Sequence, residues 1–176
     1  MSGHNKWSKI KRQKGDADAK RSKVFSRLAR LLTNESKKVG GNITSPSLVT
    51  IMETARKENM PKENIERAIK KGTENGTAEM FPVMYEAYGP GGVAIIIDAL
   101  TDNKNRTAAE MRHTLSKLNL ELAAPGAASW AFSKQNGEWI ANINVEISEE
   151  DGEKLGNLMD TLEESDDVQG VYTNAA

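Results

Sequence analysis

Apolar positions recur at helical spacing through the first part of the chain. Val24, Leu28, Leu31 and Leu32 follow i, i+4, i+7, i+8, which predicts a helix from about Asp16 or Asp18 to Lys38 with one buried face, ended by Gly40-Gly41. Leu48, Ile51, Met52 and Ala55 predict a second helix over residues 47–57. Ile65, Ala68 and Ile69 predict a third over residues 62–71, after the corner Asn59-Met60-Pro61 and before a closing Gly72. Glu63–Arg67 and Glu66–Lys70 are spaced i,i+4 in the favourable order, each worth about 0.2–0.5 kcal/mol.

Past the polar stretch Thr73-Glu74-Asn75-Gly76-Thr77 the pattern changes to short apolar runs and glycine turns. Residues 83–88 and 93–100 read as strands around Gly89-Pro90-Gly91-Gly92. Residues 103–119 read as a helix with Ala108, Met111, Leu115 and Leu118 on one face. Strands over 129–132 and 139–147 flank the turn Lys134-Gln135-Asn136-Gly137. Ser148 then caps a helix that buries Leu155, Leu158, Met159 and Leu162, and 168–172 is a final strand. The order ββαββαβ predicts an α+β domain, helices on one face of an antiparallel sheet, over residues 78–176. A basic arm and a small all-helical domain precede it over residues 1–77.

Charge sharpens that division. The 176 residues carry 24 Lys+Arg and 25 Asp+Glu, a formal net charge of −1. Residues 1–78 have a balance of +10 and residues 79–176 one of −11, which points to a polyanionic partner for the first part. With no cysteine, disulfides, thiolate metal sites and cysteine nucleophiles are excluded, and His4 and His113 have no second histidine at metal spacing. The longest apolar run, Val93-Ala94-Ile95-Ile96-Ile97, is too short to span a bilayer, and the first residues lack the apolar core of a secretory signal. The expectation is a cytoplasmic protein without a membrane or small-molecule partner.

Between Lys6 and Lys38 there are 12 Lys+Arg and 3 acids. Lys6, Lys9, Lys11, Arg12 and Lys14 form the arm, with Trp7 as a surface for base stacking or an anchor for the arm itself. Lys20, Lys23, Arg27 and Arg30 form a stripe beside the apolar face of the first helix, and Arg21 points toward that face, where its stem would snorkel. Against the alternative of a solvated charged face, the one-signed density favours phosphate contacts and counterion release. Asp102-Asn103-Lys104-Asn105-Arg106-Thr107 reads as a helix cap. It also presents Lys104 and Arg106 at a helix N-terminus suited to anions, a secondary contact. Gly89-Pro90-Gly91-Gly92 lacks the Lys-Ser/Thr ending of a phosphate loop and sits between strands, so a hairpin turn explains it. The acids at 149–153 and 163–167 lack an EF-hand register and read as a solvated face. No nucleophile–base–orienter set emerges, so neither catalytic residues, a metal nor a cofactor is expected.

Several segments together resemble one family. Gly3-His4-Asn5-Lys6-Trp7, residues 18–25 (Asp-Ala-Lys-Arg-Ser-Lys-Val-Phe), residues 59–69 beginning Asn59-Met60-Pro61-Lys62, Tyr88-Gly89-Pro90-Gly91-Gly92-Val93, Leu100-Thr101-Asp102-Asn103-Lys104-Asn105-Arg106-Thr107 and Leu162-Glu163-Glu164-Ser165-Asp166-Asp167-Val168-Gln169 are similar in order and content to the YebC/PmpR family. The resemblance implies a cytoplasmic, DNA-binding transcriptional regulator. Alternatively, it implies a ribosome-associated translation factor that binds ribosomal RNA and assists synthesis of difficult, proline-rich stretches. An adaptor whose acidic half docks a basic protein is a third reading. Three departures stand out. The family's inserted third domain is replaced by the turn near 134–137, Ser47 and Val49 stand where arginines are usual, and Leu120-Glu121-Leu122-Ala123-Ala124 replaces a glycine-rich loop.

Overall fold

A computed structural model describes residues 17–176. Two compact units divide them, one ending at Phe81 and one over Pro82–Ala176.

The first unit is three helices: α1 (Ala17–Lys38), α2 (Pro46–Lys57) and α3 (Lys62–Thr73). Leu28 and Leu32 of α1, Leu48 and Ala55 of α2, and Ile65 and Ala68 of α3 form one core together with Met60. Gly40 (φ 60°) and Gly41 (φ 76°) terminate α1, with the Gly41 N–H donating to the Ser36 carbonyl at 2.8 Å. This is the left-handed ending that glycine provides without strain. The predicted role of Gly72 is corrected: it lies inside the last turn of α3, and a Cβ there would stand 2.4 Å from the Thr33 carbonyl oxygen of α1. The missing side chain lets the two helix backbones approach. Thr33 Oγ1 and Ser36 Oγ then donate to the Ala68 and Ile69 carbonyls at 3.0 and 2.7 Å. Glu66 pairs with Lys62 at 3.5 Å rather than with Lys70.

The second unit runs β1 (Phe81–Tyr88), β2 (Ala94–Thr101), α4 (Lys104–Ser116), β3 (Leu122–Ala123), β4 (Phe132–Gln135), β5 (Glu138–Ala141), α5 (Glu149–Glu163) and β6 (Val168–Thr173). A four-stranded sheet has the order β3-β1-β2-β6, with β3 antiparallel to β1 and β6 antiparallel to β2; β4 and β5 form a separate antiparallel hairpin. The α+β class and its antiparallel sheet are as expected.

Both faces of β2 are buried, which is why its sequence is a continuous apolar run rather than an alternation. Ile95 and Ile97 pack with Met111 and Leu115 of α4 and with Leu155, Leu158 and Leu162 of α5. Ala94 and Ile96 face the other way, onto Ala128, Ala131, Phe132 and Trp139 at the hairpin. The hairpin is tied to the sheet by Trp139 Nε1, which donates to Asp98 Oδ2 at 3.0 Å.

The strands expected over 129–132 and 139–147 shorten. Residues 129–131 form a single tight turn, and the chain leaves the hairpin after Ala141. Asn174 Nδ2 donates to the Ile143 carbonyl at 3.0 Å, and Val145 makes a single parallel bridge to Ala175, its N–H donating to the Asn174 carbonyl at 2.8 Å and its carbonyl accepting from the Ala176 N–H at 2.9 Å. Leu118 lies beyond the end of α4 and is exposed, not on its buried face. Leu122–Ala123, expected as loop, supplies the edge strand β3.

Candidate nucleic-acid interface and the clusters around it

Lys6, Trp7, Lys9, Lys11, Arg12 and Lys14, with His4, lie outside the described residues. The rest of the expected contact set on the first unit is carried by α1. Lys23 is exposed, whereas Lys20 and Arg27 are half-buried along the flank of the Leu28–Leu32 face. Arg21, expected to snorkel over apolar surface, is exposed. Ser47, where arginine is usual in the resembling family, sits exposed at the start of α2 with its hydroxyl 3.1 Å from that of Ser45.

Lys104 and Arg106 open α4. Asn103 caps the helix, its Oδ1 accepting from the Arg106 N–H at 3.1 Å, as the cap reading required. Lys104 is exposed. Arg106 is turned to partners within the chain: its Nη2 donates to Asp167 Oδ2 at 2.8 Å and to Asp102 Oδ1 at 2.9 Å, with Glu110 3.7 Å from its Nε. Hydrogen bonds to Asp167 first, then Asp102, push the guanidinium above its ordinary value, so it is a fixed cation. Thr107 Oγ1 donates to the same Asp167 oxygen at 2.6 Å. This intramolecular role was missed in the sequence because Asp167 lies 61 residues from Arg106.

Glu86 is a second missed residue. It sits in β1, is 2% exposed, and receives three backbone N–H donors at 2.7 Å each, from Gly126, Ala128 and Ser129. Burial alone would push the carboxyl up. The three N–H groups, joined by the Ser129 side chain, outweigh it and hold the carboxyl below its ordinary value. A lone acid between Tyr85 and Ala87 in an otherwise apolar strand was the signal available in the sequence.

Gly89-Pro90-Gly91-Gly92 is structural. Gly91 and Gly92 take φ of 73° and 76°, and a Cβ on Gly91 would meet Ile147 Cγ2 at 2.5 Å. In the acid-rich first turn of α5, Ser148 Oγ accepts from the Asp151 N–H at 3.1 Å, and Glu150 pairs with Lys154 at 2.7 Å. Among the described residues no group of three His, Asp or Glu could hold a metal ion, and no helix is long and apolar enough to cross a membrane. His113 is exposed on α4.

Residues 5–75 match the TACO1/YebC protein N-terminal domain, and residues 80–137 and 133–175 match the TACO1/YebC second and third domain. The chain belongs to the TACO1/YebC family. Curated relatives in that family bear the name "probable transcriptional regulatory protein". The one from Petrotoga mobilis is 52% identical over 85% of this chain and 61% of its own length, and the one from Thermotoga maritima is 51% identical over 85% and 60%. The Desulfatibacillum aliphaticivorans relative is 44% identical over 97% of this chain and 74% of its own. The chain thus spans about three fifths of the length of the first two. The second family match is split into stretches that meet at the β4–β5 turn, which makes this a shortened TACO1/YebC member. A crystal structure of the conserved hypothetical protein Aq1575 from Aquifex aeolicus superposes with a TM-score of 0.78 at 32% identity, covering 92% of each chain.

Proposed function

We propose that this chain is a non-enzymatic, nucleic-acid-binding regulator of gene expression that acts on DNA as a transcriptional regulator. The observation that carries the reading is the one-signed run of 12 cations against 3 acids from Lys6 to Lys38, continued on α1. Membership in a family whose curated relatives are named as transcriptional regulatory proteins supports it.

In this reading Lys6, Lys9, Lys11, Arg12, Lys14, Lys20, Arg21, Lys23 and Arg27 lie along phosphates, Trp7 stacks on a base, and Lys104 adds a contact from the second unit. Arg106 contributes by holding the start of α4 rather than by touching phosphate. The acidic second unit repels the polymer and so orients it on the cationic one.

The test is a salt titration on duplex DNA with the full chain and with Lys9, Lys11, Arg12 and Lys14 replaced by alanine. Each lost phosphate contact should flatten the slope of log K against log salt by about 0.9. Unchanged affinity and slope would overturn the assignment of the arm. Binding confined to ribosomal RNA, with cofractionation on ribosomal subunits, would replace DNA by the ribosome as the target.

A further inference from the structure

The most exposed large apolar side chains of the second unit lie on β1 and at the base of the β4–β5 hairpin. Trp130 is 59% exposed, Ile143 50%, Tyr88 40% and Met84 39%. Met84 and Tyr88 stand at i and i+4 in β1 and so share one face of the strand, with the buried Glu86 between them. The hairpin register pairs Phe132 with Ala141 and continues through the Asn142 N–H to the Ala131 carbonyl at 2.8 Å, which brings Trp130 and Ile143 to the same end.

Trp130 is fixed in its exposed position. Its Nε1 donates to the Ala127 carbonyl at 2.9 Å and to the Tyr88 hydroxyl oxygen at 3.2 Å, and the Tyr88 hydroxyl donates to the same carbonyl. The loop below is clamped by the buried Glu86 carboxylate through three N–H groups. An indole tied in place while facing water is an anchor ordered before binding, which removes part of the entropic cost of association. Trp, Tyr and Met are the residue types that concentrate binding energy at protein interfaces.

Charge selects the occupant. Residues 79–176 have a balance of −11. Glu121 is exposed, and continuing the Glu86–Ala123 and Ala87–Leu122 register places it across from Tyr88. The hairpin's own cation, Lys134, lies 3.8 Å from Asp98 and over the Trp139 ring at 5.1 Å. We infer that Met84, Tyr88, Trp130 and Ile143 form a docking surface for a lysine- or arginine-rich segment of another protein, its apolar side chains on the aromatic pair and a cation toward the exposed Glu121. A nucleic acid or a second copy docking through the same face would bring like charges together. The inference does not depend on the nucleic-acid reading, since it uses no residue of the arm or of α1.

The experiment is an NMR titration of the full chain with a synthetic lysine/leucine peptide, following the Trp130 indole N–H, assigned by Trp130→Phe. The peptide should shift that resonance, and Trp130→Ala should weaken binding about tenfold or more, as for an interface anchor. Met84→Lys, which leaves the indole and its partners in place, should weaken it comparably through repulsion of the cationic peptide. Peptide binding unchanged in both variants would overturn the inference. So would a single-stranded oligonucleotide that shifts the Trp130 resonance at lower concentration than the peptide, or self-association abolished by Trp130→Ala.

Discussion

Arg106 and Asp167, 61 residues apart, meet with Nη2 2.8 Å from Oδ2. The contact joins the segment from Leu100 to Thr107 with the segment from Leu162 to Gln169, so two stretches that look like separate motifs are one hydrogen-bonded cluster. Asp167 is buried and also accepts from Thr107 Oγ1, while its own carbonyl accepts from the Leu100 N–H at 2.8 Å. The cluster fixes the end of β2, the start of α4 and the entry to β6 relative to one another.

Asp167→Ala leaves Thr107 and Arg106 without their shared acceptor. Its expected effect is a loss of about 1–3 kcal/mol, the cost of leaving buried hydrogen-bonding groups without their partner. Arg106→Ala should cost less, because its side chain is 45% exposed and water can replace part of what is lost. Urea unfolding with an unchanged m-value checks both.

Lys104 and Arg106 are separable at the nucleic-acid level. Lys104→Ala should leave stability unchanged and flatten the salt slope by up to about 0.9, one phosphate contact. Arg106→Ala should lower stability and leave the slope as it was. The same salt titration on duplex DNA reads the slopes, and a slope change for Arg106→Ala with unaltered melting would reverse the two roles.

Glu86 gives stability a definite pH dependence. Its carboxyl titrates below the ordinary value in the folded chain, so the unfolded chain takes up the proton first as pH falls. Its contribution is therefore complete above the ordinary carboxyl value, about 4.3, and is lost as pH falls through the lowered one. Glu86→Gln should be destabilised near neutrality by about 1–3 kcal/mol. The gap to the unsubstituted chain should narrow on acidification, as read by melting temperature against pH.

Gly72 and Gly156 are both helical and should respond oppositely to alanine. A Cβ at Gly72 meets the α1 backbone at 2.4 Å, and backbone cannot step aside, so Gly72→Ala should cost about 1–3 kcal/mol. At Gly156 in α5 nothing lies within 4 Å of the added carbon. There alanine should stabilise by about 0.5–1 kcal/mol. Paired thermal melts decide.

Much of the architecture was legible in the sequence because it is local. The Leu28–Leu32 periodicity, the Gly40-Gly41 ending, the Asn103 and Ser148 caps and the Asn136-Gly137 reversal each act within one turn or one hairpin. The charge division was legible too, since it needs only a count. Gly72 reads as a terminator until the neighbouring helix is in place. Trp130 and Tyr88 look like ordinary core aromatics until exposure is measured.

The sequence by itself thus determined the helices and the strands β1, β2 and β6, and that most of the cations lie in the first 78 residues, because propensity, capping and composition are properties of short stretches. Only the tertiary structure decided that Arg106 holds Asp167, that Glu86 clamps the 126–129 loop, and that β2 is covered on both faces. Those relationships pair residues tens of positions apart. Which acceptor a guanidinium finds, or which N–H groups a buried carboxylate collects, follows from the need to satisfy every buried polar group once the layers have closed.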